Sequence, residues 1–473
     1  VGPESGYLPG GIGYYKKDFN VPASYKGKRV SIVFDGIYHK ATIYLNGQEV
    51  DYHRYGYTSF ETDLTPYLKY GGKNTLSVKV DHSEKSRWYT GSGIYRHVWM
   101  QVTNPIHVKM WGTYITTPRV SAESAIVSCV TTVANTSALT GEIEIMQRIV
   151  DAQGNLLKIN GKQYAARTEV VMPENGTKDI AQSFTLSNPQ LWNLEKPYLY
   201  RLETILKQKG KVIDRYTTRF GVRTIGFDKD KGFFLNGKNI KMKGACLHQD
   251  AGCLGVAVPN RSYERRLTIL KEFGANAIRC SHNPPSPEFL NYCDSIGFLV
   301  VDEAFDKWKS GYYEQFFDEC WQQDIRDMIV RDRNHPSLLI WTPTNEEFWP
   351  DRVQYPRLMH DLYNLTKMID PTRPFHGASG GTHIATDIWT VHNYEQDPAK
   401  LKEKLYNGGK LMEAPKWEIH LNPMNIGYNG LKYTDQYAFP EYKKDMPYLI
   451  DEFGGTAGVI SLEDVLEQIF GEI

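Results

Sequence analysis

The apolar residues change period near residue 223, and that change most restricts what the chain can fold into. Upstream, short runs alternate apolar and polar residues one by one, which puts one face of a strand in a core and the other in water. Downstream, apolar runs of a few residues alternate with stretches whose apolar side chains recur every three or four positions. Strand-then-helix repeats of this kind build a parallel sheet. One hydrophobic core cannot serve both patterns, and 473 residues, at about 100–200 per domain, accommodate three.

The upstream part divides again. Residues 29–34 and 41–45 read as strands, Asn46-Gly47 supplies the positive-φ pair of a tight hairpin turn, and 75–80 alternates in the same way. Residues 1–105 are therefore expected to form an all-β jelly-roll sandwich. Residues 106–222 repeat the style, with strands expected at 125–133, 142–150, 198–206 and 212–220, over a length that suits an immunoglobulin-like sandwich. From 223 to 455, strands are expected at 240–243, 277–280, 298–301, 338–341, 374–377, 388–392 and 448–450. Helices are expected at 263–273, 287–296, 321–331 and 355–368. This is the pattern of an α/β barrel of the TIM type, incomplete because the eighth strand is missing.

In such a barrel the chemistry sits where the strands end. The expected exits carry His248-Gln249-Asp250, Ser281-His282-Asn283, Asp302-Glu303, Asn345-Glu346-Glu347, His392-Asn393-Tyr394 and Asp451-Glu452. Polar residues converge at these exits in a way an inert barrel would not require. Glu346 follows strand four and Glu452 follows strand seven, which face each other across an eight-stranded barrel. Two carboxyls placed there can approach to the ~5 Å of a retaining glycosidase, one attacking the anomeric carbon and the other protonating the leaving oxygen. Taken singly, each glutamate is more often a solvated loop residue; the pair in register gives the reading its weight. With a second carboxylate nearby, Glu346 is expected to titrate above the usual range, giving a bell-shaped pH–rate profile.

Composition removes other classes. Lys+Arg and Asp+Glu both number 55, so the net charge is zero and nothing draws the chain to nucleic acid or an anionic membrane. No apolar run reaches the ~18 residues that span a bilayer, so no membrane insertion is expected. Six cysteines without a C-x-x-C pair, in a chain this long, read as buried free thiols rather than a disulfide scaffold. The first residues, Val1 to Gly6, contain no charged-then-apolar leader and open in loop style, which predicts a true start further upstream. The compartment, periplasmic or cytoplasmic, stays open.

Several longer motifs carry a family resemblance: Gly91-Ser-Gly-Ile-Tyr-Arg96, Lys243-Gly-Ala-Cys-Leu-His248, Asn276-Ala-Ile-Arg-Cys-Ser-His-Asn-Pro-Pro285, Gly297-Phe-Leu-Val-Val-Asp-Glu-Ala304 and Arg331-Asp-Arg-Asn-His-Pro336. Together, over about residues 10–455, the chain resembles glycoside hydrolase family 2, and within it the bacterial β-galactosidases. The resemblance implies a sugar-binding jelly roll, an immunoglobulin-like domain and a catalytic barrel, a carbohydrate substrate, no cofactor, and assembly as a homo-oligomer, a state the residues themselves leave unreadable. It implies Glu346 as acid/base, Glu452 as nucleophile and Asn345 on the sugar 2-hydroxyl. It also implies His248, His282, Asp250 and Tyr394 as substrate-binding residues. Arg87 and Trp88 would belong to a jelly-roll loop that enters the pocket. Glu303 would hold either Arg279 or the sugar.

The chain also departs from the family pattern. Thr344 stands where a glycine usually precedes the Asn-Glu pair, and Trp341-Thr-Pro-Thr-Asn-Glu looks like a different branch, leaving galactoside, glucuronide and mannoside all open. Lys307 and Lys309 occupy the places of a magnesium-binding Glu and His in some relatives, so no metal is expected there. Residues 451–473 resemble CBS-domain proteins of the efflux and hemolysin-like type, which suggests a chimeric join at 451–455 and a foreign helical tail over 456–473, capped by Ser461 and Asp464. The alternative to an active glycosidase is a non-catalytic carbohydrate-binding remnant with an unclosed barrel.

Overall fold

The computed structural model describes residues 10–83, 90–159, 162–306, 308, 314–345, 354–379, 385–393, 399, 406–407, 410–411, 447–453 and 460–461. Two compact units emerge. The first comprises Val1–Arg223 with Asp250–Val258 and Val330–Pro336; the second comprises Thr224–Gln249, Pro259–Ile329 and Ser337–Ile473.

The first unit opens with a sandwich. One sheet orders Gly11–Val21, Gly72–His82, Ala41–Leu45 and Gln48–His53; the other orders Phe60–Asp63, Arg29–Phe34 and Val98–Thr103. Period-2 side chains from both sheets, among them Ile32, Phe34, Ile43, Leu45, Val78 and Val80, form its core. The expected hairpin turn is present, with Asn46 at φ 53° and Gly47 at φ 86°. A second sandwich follows, with Ile106–Val120, Ser124–Asn135 and Gly176–Ser187 in one sheet. Its other sheet orders Ala166–Met172, Gly141–Val150, Tyr200–Gln208 and Lys211–Phe220.

Two sequence motifs find structural work in this unit. Gly91 has φ 70°, and a Cβ there would lie 2.2 Å from Val256 Cγ2. Only glycine admits both the left-handed backbone and that approach. The Arg331–Pro336 motif grips both sandwiches. The Arg331 guanidinium pairs with the Asp332 carboxylate and donates to Ser59 Oγ at 3.1 Å. The Asn334 amide donates to the Thr113 carbonyl at 2.7 Å and accepts from the Ile115 N–H at 2.9 Å, so it acts as an added rung on a strand edge. Arg333 lies 4.5 Å over the Tyr114 ring, and Arg223 Nε donates to the Pro336 carbonyl.

In the second unit, the strands β1 (Gly244–Leu247), β2 (Ala277–Cys280), β3 (Leu299–Glu303) and β4 (Leu338–Thr342) form a parallel sheet in chain order. Helices α1 (Asn260–Glu272), α2 (Pro287–Ile296), α3 (Glu314–Asp332) and α4 (Gln354–Ile369) alternate with them. Past Pro343, Thr344–Asn345 pairs in parallel with β5 (Ala378–Ser379), which single bridges at Phe375 and His376 precede. His376 bridges Ile388, next to β6 (Trp389–Asn393), and β6 pairs in parallel with β7 (Tyr448–Phe453). Among the described residues no hydrogen-bonded strand closes β7 onto β1.

Two expectations are corrected. The first barrel strand is Gly244–Leu247, not 240–243. The apolar signal at 240–243 lies before it, and at the strand's first residue, Gly244, a Cβ would meet the Ala277 carbonyl oxygen at 2.7 Å, so the close pairing there needs glycine. At the tail, Ile460–Ser461 pairs antiparallel with β7, and the helix that Ser461 and Asp464 were expected to cap lies outside the described residues. The rest of the tail, 462–473, lies outside the described residues. Of the six cysteines, all free, Cys129, Cys280 and Cys293 are buried while Cys253 is exposed.

Two outcomes follow for the first unit. Asn334→Ala leaves a backbone donor and acceptor without their partner and is expected to cost about 1–3 kcal/mol in urea unfolding. His39, 2% exposed beside Tyr38 and His82, is held by burial and by the His82 charge at a pKa of about 3 against an ordinary 6.5. The unfolded chain therefore binds one more proton between those values, so stability falls as pH drops from 6.5 toward 3. His39→Phe should flatten that part of a Tm-versus-pH curve; an unchanged slope would show that His39 carries none of it.

Candidate active site

The chemistry-bearing side chains gather where β1 to β4 end. Arg279 is the third residue of β2, in the sequence Ala-Ile-Arg-Cys, and it is wholly buried. A guanidinium removed from water needs its donors filled and its charge opposed. Glu303, the last residue of β3 and also fully buried, does both: Arg279 Nε donates to Oε2 at 2.8 Å and Nη2 to Oε1 at 3.1 Å. Of the two roles the sequence allowed Glu303, the contact to Arg279 is present.

The same guanidinium reaches the end of strand four. Arg279 Nη2 donates to Asn345 Oδ1 at 2.8 Å, and Asn345 Nδ2 donates to Asp306 Oδ1 at 2.9 Å. Asn345 is thereby fixed at both ends of its amide, 1% exposed. Arg279 Nη1 also approaches Cys246 Sγ on β1 at 3.6 Å. Four strand ends thus meet on one cation.

His282, two residues beyond β2, sets Nδ1 at 2.7 Å from Glu303 Oε1. Arg279 Nη2 also lies 3.2 Å from that Nδ1, so the guanidinium and the carboxylate together hold one edge of the ring, and Nε2 is its other functional atom. The His248 ring stands edge-on to His282, with centroids 5.5 Å apart, and the His248 carbonyl accepts from Arg266 Nη1 at 3.4 Å. The structure therefore brings Asn345, His282 and His248 together. Asp250 is used differently: it belongs to the first unit, where Oδ2 accepts from the Gly252 N–H at 2.9 Å.

Glu452 lies in β7 with its backbone in register with His392 of β6, and its side chain is outside the described residues. Glu346, Tyr394, Arg87, Trp88, Lys307 and Lys309 also lie outside them. Sequence reasoning gave no role to Asp306 or Cys246 and saw Arg279 only as a partner for Glu303. The available signal was a charge inside an otherwise apolar central strand, since such a charge must be paired.

Comparison with known proteins gives the family. Residues 8–105 match the family "Glycosyl hydrolases family 2, sugar binding domain", 106–223 match "Glycosyl hydrolases family 2", and 228–456 match "Glycosyl hydrolases family 2, TIM barrel domain". The chain is 45% identical over 361 residues to beta-galactosidase BoGH2A of Bacteroides ovatus, covering 74% of this chain and 41% of that protein. It is 33% identical to a beta-galactosidase of Thermoanaerobacter pseudethanolicus, over 97% of this chain and 61% of that one. A beta-glucuronidase of Bacteroides fragilis is 30% identical over 81% of this chain and 57% of its own length. The chain thus spans 41–61% of the length of these curated relatives. Among solved structures, a family 2 member from Bacteroides cellulosilyticus superimposes with a TM-score of 0.78 at 38% identity, over 85% of this chain and 55% of that one. A CBS-type resemblance at the end of the chain finds no support in these matches.

Arg279→Met removes one partner of a buried ion pair and leaves Glu303 uncompensated. The expected loss is about 3–5 kcal/mol, read by chemical denaturation. A variant as stable as the parent would show that the pair is not what holds these strand ends.

Proposed function

The chain belongs to glycosyl hydrolase family 2, and from that membership we propose that it hydrolyses β-glycosides with retention of configuration, β-galactosides foremost. The observation that carries the reading is the two-ended clamp on Asn345 by Arg279 and Asp306, because Asn345 immediately precedes Glu346. A carboxyl acting as acid/base must hold its place to a few tenths of an ångström, and a backbone anchored one residue upstream supplies that.

In this mechanism Glu452 attacks the anomeric carbon while Glu346 protonates the leaving oxygen. Water then attacks the glycosyl–enzyme ester, with Glu346 now taking the proton. Asn345 would bind the sugar hydroxyl next to the reacting carbon. His282, oriented by Glu303, would present its second nitrogen to the sugar, with His248 beside it. Twofold use of Glu346 requires it to be protonated in the first step and ionised in the second, hence activity bounded on both sides in pH.

The galactoside preference rests on relatives at 45% and 33% identity named as beta-galactosidases; others are named beta-glucuronidases, so a panel of nitrophenyl β-galactoside, β-glucuronide and β-mannoside decides the sugar. Glu452→Gln is expected to lose at least ~10³-fold in kcat, with azide restoring turnover in a smaller nucleophile-site variant. An NMR time course should show the β-anomer first. Release of the α-anomer first would remove the double displacement, and a chain that binds but turns over none of the three sugars would be the carbohydrate-binding remnant.

A further inference from the structure

The barrel holds a second buried polar chain, under strands four to six, that the mechanism above does not use. His376, Thr342 and Thr390 have no solvent exposure. The imidazole spans both neighbouring strands: Nδ1 lies 3.1 Å from Thr342 Oγ1, and Nε2 hydrogen-bonds Thr390 Oγ1. Polar side chains in a barrel interior that usually takes bulky aliphatic residues need a reason.

Pro343 supplies one. Strand four pairs with the strand-five segment through Trp341 N–H to the Pro374 carbonyl at 3.1 Å and His376 N–H to the Trp341 carbonyl at 2.9 Å. In a parallel ladder the next donor on strand four is two residues on. That residue is Pro343, which has no N–H, so the rung to the His376 carbonyl is missing. Pairing resumes past it in the same register, Trp341 opposite Phe375 and then Thr344 opposite Ala378. The break falls directly before Thr344-Asn345-Glu346. Thr342 stands in register with Glu303 on one side and bonds His376 on the other. Thr390 stands in register with Leu449 of β7, two residues before the His392–Glu452 pair.

We propose that His376 is a positioning residue: bonded at both ring nitrogens, it replaces the rung that Pro343 removes and fixes the stagger of β4 against β6 and β7. It thereby sets the spacing between the strands that carry Glu346 and Glu452. This inference rests on the glycosidase reading and deepens it.

The test uses the full chain and a nitrophenyl β-glycoside that the parent hydrolyses, with active sites counted by a fluorosugar that traps the covalent intermediate. Counting sites separates poor folding from poor positioning. His376→Leu fills the space without either bond, and kcat per titrated site should fall about 10- to 100-fold with KM within about twofold. His376→Gln, whose amide keeps one donor and one acceptor, should recover most of the loss. Pro343→Ala restores the backbone donor, so the Leu substitution in that background should cost far less than in the parent. If His376→Leu does not fold, His376→Asn, too short to span both hydroxyls, takes its place in the same comparison. Parental kcat per site in the Leu or Asn variant, or an equal loss with and without Pro343, overturns the proposal while leaving the glycosidase reading intact. A parent without turnover overturns both.

Discussion

A buried cation governs the second unit. Arg279 has no access to water, and its charge is tolerable only while Glu303 receives two of its N–H groups and Asn345 another. Breaking such a pair costs about 3–5 kcal/mol, a large part of the stability of most domains. The ends of β2, β3 and strand four therefore cannot drift apart without exposing an unpaired charge to an apolar interior. The arrangement converts an electrostatic penalty into geometric precision at Asn345 and His282.

Precision of that kind matters to the proposed chemistry, which would work across strands rather than along one. Each exit contributes one or two groups: His248 after β1, His282 after β2, Glu303 and Asp306 at and after β3, Asn345 after β4. The backbone ladder alone leaves a gap at Pro343, in the strand leading to the proposed acid/base. Side chains take over where the ladder stops, through Arg279 and Asp306 on Asn345 and through His376 between Thr342 and Thr390. Elsewhere the chain uses polar side chains in the same manner. Asn334 serves as a rung for Thr113 and Ile115, so the motif Arg331–Pro336, rich in residue types that do chemistry, performs a mechanical task.

Several elements were legible because their signal is local. The strands Arg29–Phe34 and Ala41–Leu45, the Asn46-Gly47 turn and the helix Pro287–Ile296 occur where alternation, positive-φ residues and helical spacing put them. β1 was misplaced by four residues because Gly-Ala-Cys-Leu has no periodic pattern; it is a strand through its pairing with Ala277–Cys280, residues distant in sequence. The roles of Asp306, Cys246 and His376 were illegible for a related reason. A polar residue in a short strand looks the same whether it faces solvent or a partner three strands away.

The sequence by itself determined the order of the elements, two β-sandwich patterns followed by strand–helix repeats, and the kinship its motifs carry. Those properties follow from local periodicity and from residues near one another along the chain. Tertiary structure alone decided which side chains share a charge: that Arg279 answers to Glu303 rather than to solvent, that Asp250 braces a turn, and that a histidine bridges the strands on either side of a proline break. Such pairings depend on distances set by packing and on burial that makes an unmet hydrogen bond costly, and neither is written in spacing along the chain.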